Sequence, residues 1–325
     1  MPFSVSVIIP TYNRAELVQR AINSVLDQTH LPDEIIVVDD GSTDHTPDVL
    51  AGYGAALRVI QQPNAGRAGA RNTGLLAAQG DLVAFLDSDD YLLPESVACR
   101  MAAFARDPAL GAVYTDVWLI DSAGERNERF STIYPVPYPS GMILAELAQR
   151  CFIVLSSVMF RHDVTLEHAI TFDTNLELAE DYDFWLRLAV HTPFLYINTP
   201  LTCFQMPDRV EFTVKNWGLP TTSYQNHPNE KQHEITVQRR VLQTPSFQAL
   251  SPLEQAKIYC AHGMKNMMVG NTNEARQLLR QAIRATPSYP VGWSLLALSL
   301  LGQRAFEFAV LLRRQVVRLT SKVKG

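Results

Sequence analysis

Asp87, Ser88 and Asp89 set two carboxylates two residues apart. In extended backbone such residues point to the same side, so both can face one cation. Oxygen donors with no nearby Cys or His suit Mg²⁺ or Mn²⁺, which take one or two carboxylates and share the rest of their shell with substrate phosphates. The plainer reading is a polar turn, with Asp90 or Ser88 capping a helix ahead of Pro94. A second acidic run, Glu180-Asp181-Tyr182-Asp183, opens a helical pattern through Trp185, Leu186, Leu188 and Ala189. Acids in a first turn are also what the helix dipole favours. As chemistry, one of them is a general base. A helix N-terminus lowers a carboxylate's pKa and weakens it as a base, unless burial or neighbouring acids act against it.

Familiar phosphate cradles are absent. The chain has no GxxxxGK[ST] loop, and Gly66-Arg67-Ala68-Gly69 is not GxGxxG. A bound nucleotide must then be gripped through metal, base contacts and an arginine such as Arg71, since a guanidinium pairs in bidentate fashion with phosphate. The alternative for Arg71 is an exposed helix position.

These residues sit in an alternating pattern. Short apolar runs at 5–9, 34–38, 57–61 and 82–86 predict strands, and residues 15–28, 46–53 and 69–78 predict helices. In the first helix Leu17, Val18, Ala21, Ile22, Val25 and Leu26 make one apolar face, and Asn13 with Glu16 reads as a capping pair. Strands alternating with helices imply an α/β fold with a mostly parallel sheet covered on both faces. Ligands of such sheets lie beyond the carboxyl ends of the strands. Three of the four strand ends there carry polar groups: Pro10-Thr11-Tyr12-Asn13, Asp39 to Asp44, and Asp87 to Asp90. Further along, 111–119 and 153–160 read as strands and 205–228 as loop.

From residue 251 the pattern is wholly helical. Tyr259 and Trp293 are 34 residues apart, as are Ala275 and Ala309. With Gly263, Leu279, Ala282 and Pro287 these positions resemble a tetratricopeptide repeat. The second unit decays, with Arg313 and Val316 at positions that should be aromatic and small. The expected domains are 1–245 and 251–325.

The chain has 325 residues, 47% hydrophobic, with 28 basic and 33 acidic residues. That balance excludes a general nucleic-acid binder, which needs a basic field. Cys99, Cys151, Cys203 and Cys260 are scattered without a CxxC, so neither a zinc site nor a disulfide framework is expected. The apolar stretch 295–301 is far short of the ~20 residues of a spanning helix, and no leader pattern opens the chain. A cytoplasmic location follows as the expectation. The terminal run, with Arg304, Arg313, Arg314, Arg318, Lys322 and Lys324 among apolar residues, reads as a helix whose cations favour its dipole. The second reading is peripheral contact with an anionic membrane face.

Val5 to Asn13, the Val37-Val-Asp-Asp-Gly-Ser-Thr-Asp44 block, Asn64 to Gly74, Phe85-Leu-Asp-Ser-Asp-Asp90 and the later Glu180-Asp181 before Tyr182 to Arg187 together resemble the family 2 glycosyltransferases. The resemblance covers residues 4–205 and implies a GT-A fold, Rossmann-like with a mostly parallel central sheet, joined to a small all-α region. It implies inverting transfer of a sugar from a nucleotide-diphosphate donor, a UDP-sugar being favoured. Pro10, Thr11, Tyr12 and Asp40 would hold nucleobase and ribose. Asp87, beside Ser88, would contact the ribose or metal-bound water, Asp89 would ligate the divalent cation (Mg²⁺ or Mn²⁺) with Asp87, and Arg71 would approach the diphosphate. Asp181 would be the base, supported by Glu180. The chain departs from the family after its last strand, where Cys203-Phe204-Gln205-Met206-Pro207 stands in place of an aromatic-Arg pair. Arg209 and His227 are the candidates for the missing diphosphate contact. A Gln-x-x-Arg-Trp signature is absent, so single addition is expected. A glycan or lipid-linked acceptor, work at the inner membrane face and a homo-oligomer complete the expectation. Its rival is a catalytically silent nucleotide binder, or a scaffold acting through the helical tail.

Overall fold

A computed structural model describes residues 3–121, 125–134, 136–205, 230–306 and 309. Nine strands form one sheet: β1 (Val5–Thr11), β2 (Glu34–Asp39), β3 (Arg58–Gln61), β4 (Leu82–Phe85), β5 (Tyr91–Leu92), β6 (Ala112–Ile120), β7 (Arg126–Arg129), β8 (Val158–Arg161) and β9 (Phe194–Gln205). Their order is β3-β2-β1-β4-β8-β6-β9-β5, with β7 beside β6. Strands β3, β2, β1 and β4 are parallel, and every residue of β1 and β4 is buried. Such continuous apolar runs have nowhere to face water, which is why both sheet faces are covered. The helices Ala15–Leu26 and Gly66–Ala77 do part of that covering, the first through Val18, Ala21, Ile22 and Val25.

Beyond β4 the sheet departs from the mostly parallel expectation. Strand β8 is antiparallel to both β4 and β6, and β9 runs parallel to β6. Of the run 153–160 only Val158 to Phe160 is strand, and β8 continues to Arg161. Leu155–Ser157 is a 3-10 turn, closed by Ser157 N donating to Val154 O at 3.0 Å. Strand β9 runs on through Cys203 to Gln205, residues expected to follow the last strand, and Asn198-Thr199-Pro200 does not end it. That segment is a bulge inside the strand: Thr115 pairs with Ile197, and the next residue, Asp116, with Pro200. Instead of a helix before Pro94, the two-residue β5 follows Asp90. Asn13 does not cap the first helix. Arg14 occupies the cap and no side chain accepts there.

The chain forms two compact units. The first holds the sheet and its helices. The second gathers Leu144–Cys151 with the chain from helix Glu230–Leu242 onward. Its core is Ala256, Cys260, Met267, Ala275, Leu279, Ala282, Leu295 and Phe306, from the helices Pro252–Met268, Thr272–Ala285 and Pro290–Leu300 and the turn beyond them. Ser251 and Glu254 make a reciprocal capping box at the first of these. No helix among the described residues is long and apolar enough to cross a membrane. The basic residues from Arg313 to Lys324, and the expected loop 206–228 with Arg209 and His227, lie outside the described residues.

Helix Gly66–Ala77 packs on β1 and β2 through Gly74, where an added Cβ would sit 2.3 Å from Ile8 Cγ2 and 3.3 Å from Val38 Cγ2. Both neighbours are buried branched side chains with no room to yield. Gly74→Ala is expected to destabilise the protein by about 1–3 kcal/mol through overpacking. A lowered midpoint in thermal unfolding checks this; an unchanged midpoint would mean that the helix shifts freely.

Candidate active site

The carboxyl ends of β1 and β2 are stitched together by their own polar groups. Asp40 N donates to Thr11 O at 2.9 Å. Asn13, at φ 51°, accepts through Oδ1 from Thr43 N at 2.7 Å, and Ser42 Oγ accepts from Asn13 N at 2.9 Å. Asn13, which failed as a helix cap, therefore locks the loop after β1 to the loop after β2. Asp40 is buried, and its Oδ1 accepts from Gln62 Nε2 at 2.6 Å and Ala65 N at 2.8 Å. Gly41 turns at φ +80°, with Asn64 N only 3.0 Å from where a Cβ would lie. Pro10 and Thr11 are buried in β1, whereas Tyr12 is 45% exposed. The Thr11 hydroxyl is buried with no hydrogen-bond partner, an unmet polar group at the carboxyl end of β1.

After β4 the acids separate by environment. Ser156 Oγ accepts from Asp87 N at 3.1 Å and donates to Asp90 Oδ2 at 2.5 Å. Gln205 N donates to Asp90 Oδ1 at 2.9 Å. Asp90 is thus an inward anchor, and burial with the nearby Asp89 and Asp87 pushes its carboxyl well above the usual range. Ser88 is buried beside it. The side chains of Asp87 and Asp89 stay 30% and 25% exposed. Asp89 Oδ2 lies 2.5 Å from Arg14 Nη1.

Arg71 is buried, which excludes the exposed-helix reading. Its Nη2 donates to Asp87 Oδ1 at 2.8 Å and its Nη1 to Glu180 Oε1 at 2.6 Å. Its guanidinium lies 5.5 Å from the centre of the Phe172 ring, which stacks on Phe184 at 4.4 Å. Burial opposes the charge on Arg71, but Asp87 and Glu180 outweigh it and hold the group firmly protonated. On Asp87, burial raises the pKa, while Arg71, followed by Arg67 and Arg14, overcomes this and holds the carboxyl below its usual value.

Glu180 and Asp181 begin the helix Glu180–Ala189, and both are buried. The preceding Ala179 sits in the left-handed region at φ 63°, a costly conformation for a residue with a Cβ. Burial, then Glu180, push the Asp181 carboxyl up to about 6, with Arg71 pulling the other way. The helix-terminus argument for a weak base therefore loses to burial and like charge. The further acid, Asp183, pairs with Arg187 at 2.7 Å one turn on.

Among the described residues no group of three or more His, Cys, Asp or Glu could hold a metal by itself. Asp87 to Asp90 form a turn, closed by Asp90 N donating to Asp87 O at 2.9 Å, rather than the extended backbone expected to aim both acids to one side. Asp87 and Asp89 nevertheless offer part-exposed, hard oxygen donors. That set fits a divalent cation that takes one or two carboxylates and draws its other ligands from phosphate and water. Sequence reasoning missed Arg14, Ser156 and Gln205. Arg14 directly follows the Pro10–Asn13 run and was legible by adjacency. Ser156 and Gln205 come from segments with no motif, and only folding brings them to Asp90.

Residues 6–166 match the model of the family described as glycosyl transferase family 2. Just under half of the chain thus matches a family 2 glycosyltransferase domain. It is 32% identical over 209 residues to a chondroitin synthase of Pasteurella multocida, covering 60% of this chain and 20% of that protein. To an uncharacterized glycosyltransferase of Nostoc sp. it is 37% identical over 166 residues, 49% of this chain and 51% of that one. The chain thus spans between a fifth and a half of these relatives. The crystal structure of S. aureus TarS 1–349 in complex with UDP-GlcNAc matches with a TM-score of 0.64 at 18% identity, over 96% of this chain and 92% of that one. The mannosyltransferase PcManGT of Pyrobaculum calidifontis, in complex with GDP-Man and Mn²⁺, matches at 0.58 with 22% identity, over 99% and 88%. Likeness at such identities is one of fold, and the fold of the sheet is GT-A.

Within this family 2 domain Arg71 is expected to be the costliest charge to remove. Arg71→Met leaves the buried Glu180 with only the part-exposed Arg67, 3.8 Å away, and should cost about 3–5 kcal/mol of stability. Arg71→Met with Glu180→Gln should recover most of that loss. Denaturant midpoints of the two variants check it, and equal midpoints would remove the pairing argument.

Proposed function

We propose that the chain transfers a single sugar, with inversion, from a nucleoside-diphosphate donor, a UDP-sugar first, to an acceptor hydroxyl. The observation that carries this reading is the convergence of Asp87, Asp89 and Arg71 with a buried Asp181 whose pKa is raised to about 6. Tyr12, Pro10, Thr11 and Asp40 would hold nucleobase and ribose, with Asp87 and Ser88 continuing the donor edge. Asp89 with Asp87 would hold a divalent cation, which supplies neutralisation of the charge that grows on the leaving diphosphate. Arg71 faces Asp87 rather than standing free, so its part is to fix that carboxylate and the Glu180 turn. Asp181 takes the proton of the acceptor hydroxyl as its oxygen attacks the anomeric carbon. Glu180, held by Arg71, keeps Asp181 basic through like charge.

In this reading residues 1–245 are the catalytic part and 251–325 a tetratricopeptide-like helical part. In its support, Gly263 sits against Leu279, where a Cβ would lie 2.9 Å from Leu279 Cγ, and Ala275, Leu279 and Ala282 are all buried. The acceptor is a glycan or a lipid-linked glycan at the cytoplasmic membrane face. Relatives named as synthases of chondroitin and hyaluronan support a polysaccharide.

Calorimetric titration with UDP, dTDP, GDP and CMP, each with Mn²⁺ or with chelator, tests the donor side. One nucleoside diphosphate is expected to bind only with metal, and Asp89→Ala should abolish the signal. Binding of none of them would end the donor reading, and binding without sugar transfer would mark a silent domain.

Asp181 must be ionised to accept a proton, so activity should fall as pH drops through its raised pKa. Expected is an acid limb in kcat/KM centred near pH 6, falling about tenfold per unit below it. Asp181→Asn should lower turnover by roughly 10²–10⁴ and leave nucleotide binding intact. A flat profile between pH 5 and 7 would exclude Asp181 as the base.

A further inference from the structure

Two arginines at the start of the chain hold the Asp89 segment in different ways. Arg20, in the helix Ala15–Leu26, grips the backbone of Asp89, donating to its carbonyl; it also donates to the Gln205 side chain at Oε1, 3.0 Å away, with its guanidinium 5.2 Å from the centre of the Tyr91 ring. Arg14, the residue before that helix, reaches the side chain instead, with Nη1 2.5 Å from Asp89 Oδ2. Arg71 is buried and permanently committed to Asp87 and Glu180. The Arg14–Asp89 pair is part-exposed on both sides, 31% and 25%. Part-exposed ion pairs are weak and exchange readily.

A carboxylate oxygen in contact with a guanidinium cannot also take a divalent cation without bringing two positive charges together. We propose that Arg14 is an exchangeable counter-ion, holding Asp89 while the donor is absent and passing to the donor diphosphate when Asp89 takes the cation. This rests on the donor and cation reading given above. A guanidinium suits the exchange because its planar fork pairs equally well with carboxylate and with phosphate. Arg20, holding the backbone of the same residue, keeps Asp89 in place while its side chain changes partner. Cation alone therefore meets a built-in competitor, whereas cation together with a nucleoside diphosphate gives that competitor a new anion. Metal and nucleotide should bind cooperatively, and Arg14 is the residue that couples them.

The test is Mn²⁺ binding to the full chain, by calorimetry or by the free-Mn²⁺ electron paramagnetic resonance signal. It is run first without nucleotide, then with UDP or GDP, whichever binds in the titration above. Arg14→Gln is expected to tighten Mn²⁺ alone by about fivefold or more, and to shrink the nucleotide's enhancement of Mn²⁺ affinity by a similar factor. Arg14→Lys keeps the charge without the fork and should fall between Gln and wild type. Arg58→Gln, which removes a cation paired with Glu34 at 3.6 Å on β2, controls for net charge and should behave as wild type. If Arg14→Gln tightens Mn²⁺ no more than Arg58→Gln does, while nucleotide with Mn²⁺ still binds, the exchange is wrong and the donor reading stands. Absence of Mn²⁺ binding with every nucleotide overturns both.

Discussion

A buried guanidinium between two carboxylates, Arg71 between Asp87 and Glu180, joins the halves of this site. Asp87 lies two residues beyond β4, whereas Glu180 starts a helix more than ninety residues later in the chain. Burying a charge is costly unless it is paired and hydrogen-bonded, so this geometry is tightly specified. If either carboxylate strays, the buried guanidinium loses half of its pairing in an apolar setting. Phe172, stacked on Phe184 and edge-on to Phe85, supplies that setting. The turn after β4 and the helix that starts at Glu180 thus share one cation.

The same arrangement sorts acids of one chemical type into different tasks. Asp87 is held low by its arginines, Asp90 is forced up by burial and its neighbours, and Asp181 is raised to about 6. Environment alone makes these differences. Asp90 becomes an anchor whose oxygens are held by Ser156 and Gln205. Asp87 stays ionised at the exposed edge. Asp181 is left as the group whose protonation changes near neutral pH. Backbone strain accompanies this sorting: Asn13 and Ala179 both adopt positive φ, one beside the loop after β2 and the other just before Glu180. Such positions persist only where surrounding contacts over-determine them. At Asn13 the contacts are the hydrogen bonds to the loop after β2.

Much of the architecture was legible because the parallel half of the sheet is built from local signals. Residues 5–9, 34–38 and 82–86 are apolar runs long enough to be buried on both faces, and their polar ends mark the ligand edge. The Glu180 helix was legible from its apolar spacing and acidic first turn. The antiparallel half was not. Strand β9 hides behind Asn198-Thr199-Pro200, because a bulge and a turn use the same residues. The segment 153–157 looked like strand, but Ser156 and Ser157 turn there so that one hydroxyl can serve both Asp87 and Asp90.

What the sequence determined by itself was the inventory: which residue types stand at the strand ends, their spacing along the chain, and their order from Asn13 to Asp183. Those follow from local periodicity and motif, which act over a few residues. Only the tertiary structure decided how the charges pair. Arg71 could have been an exposed helix residue, Asp90 a helix cap, Asp181 a weakened base and Arg14 a bystander. Each of these outcomes depends on burial and on partners far away in sequence, and electrostatic energy in a folded protein depends on both.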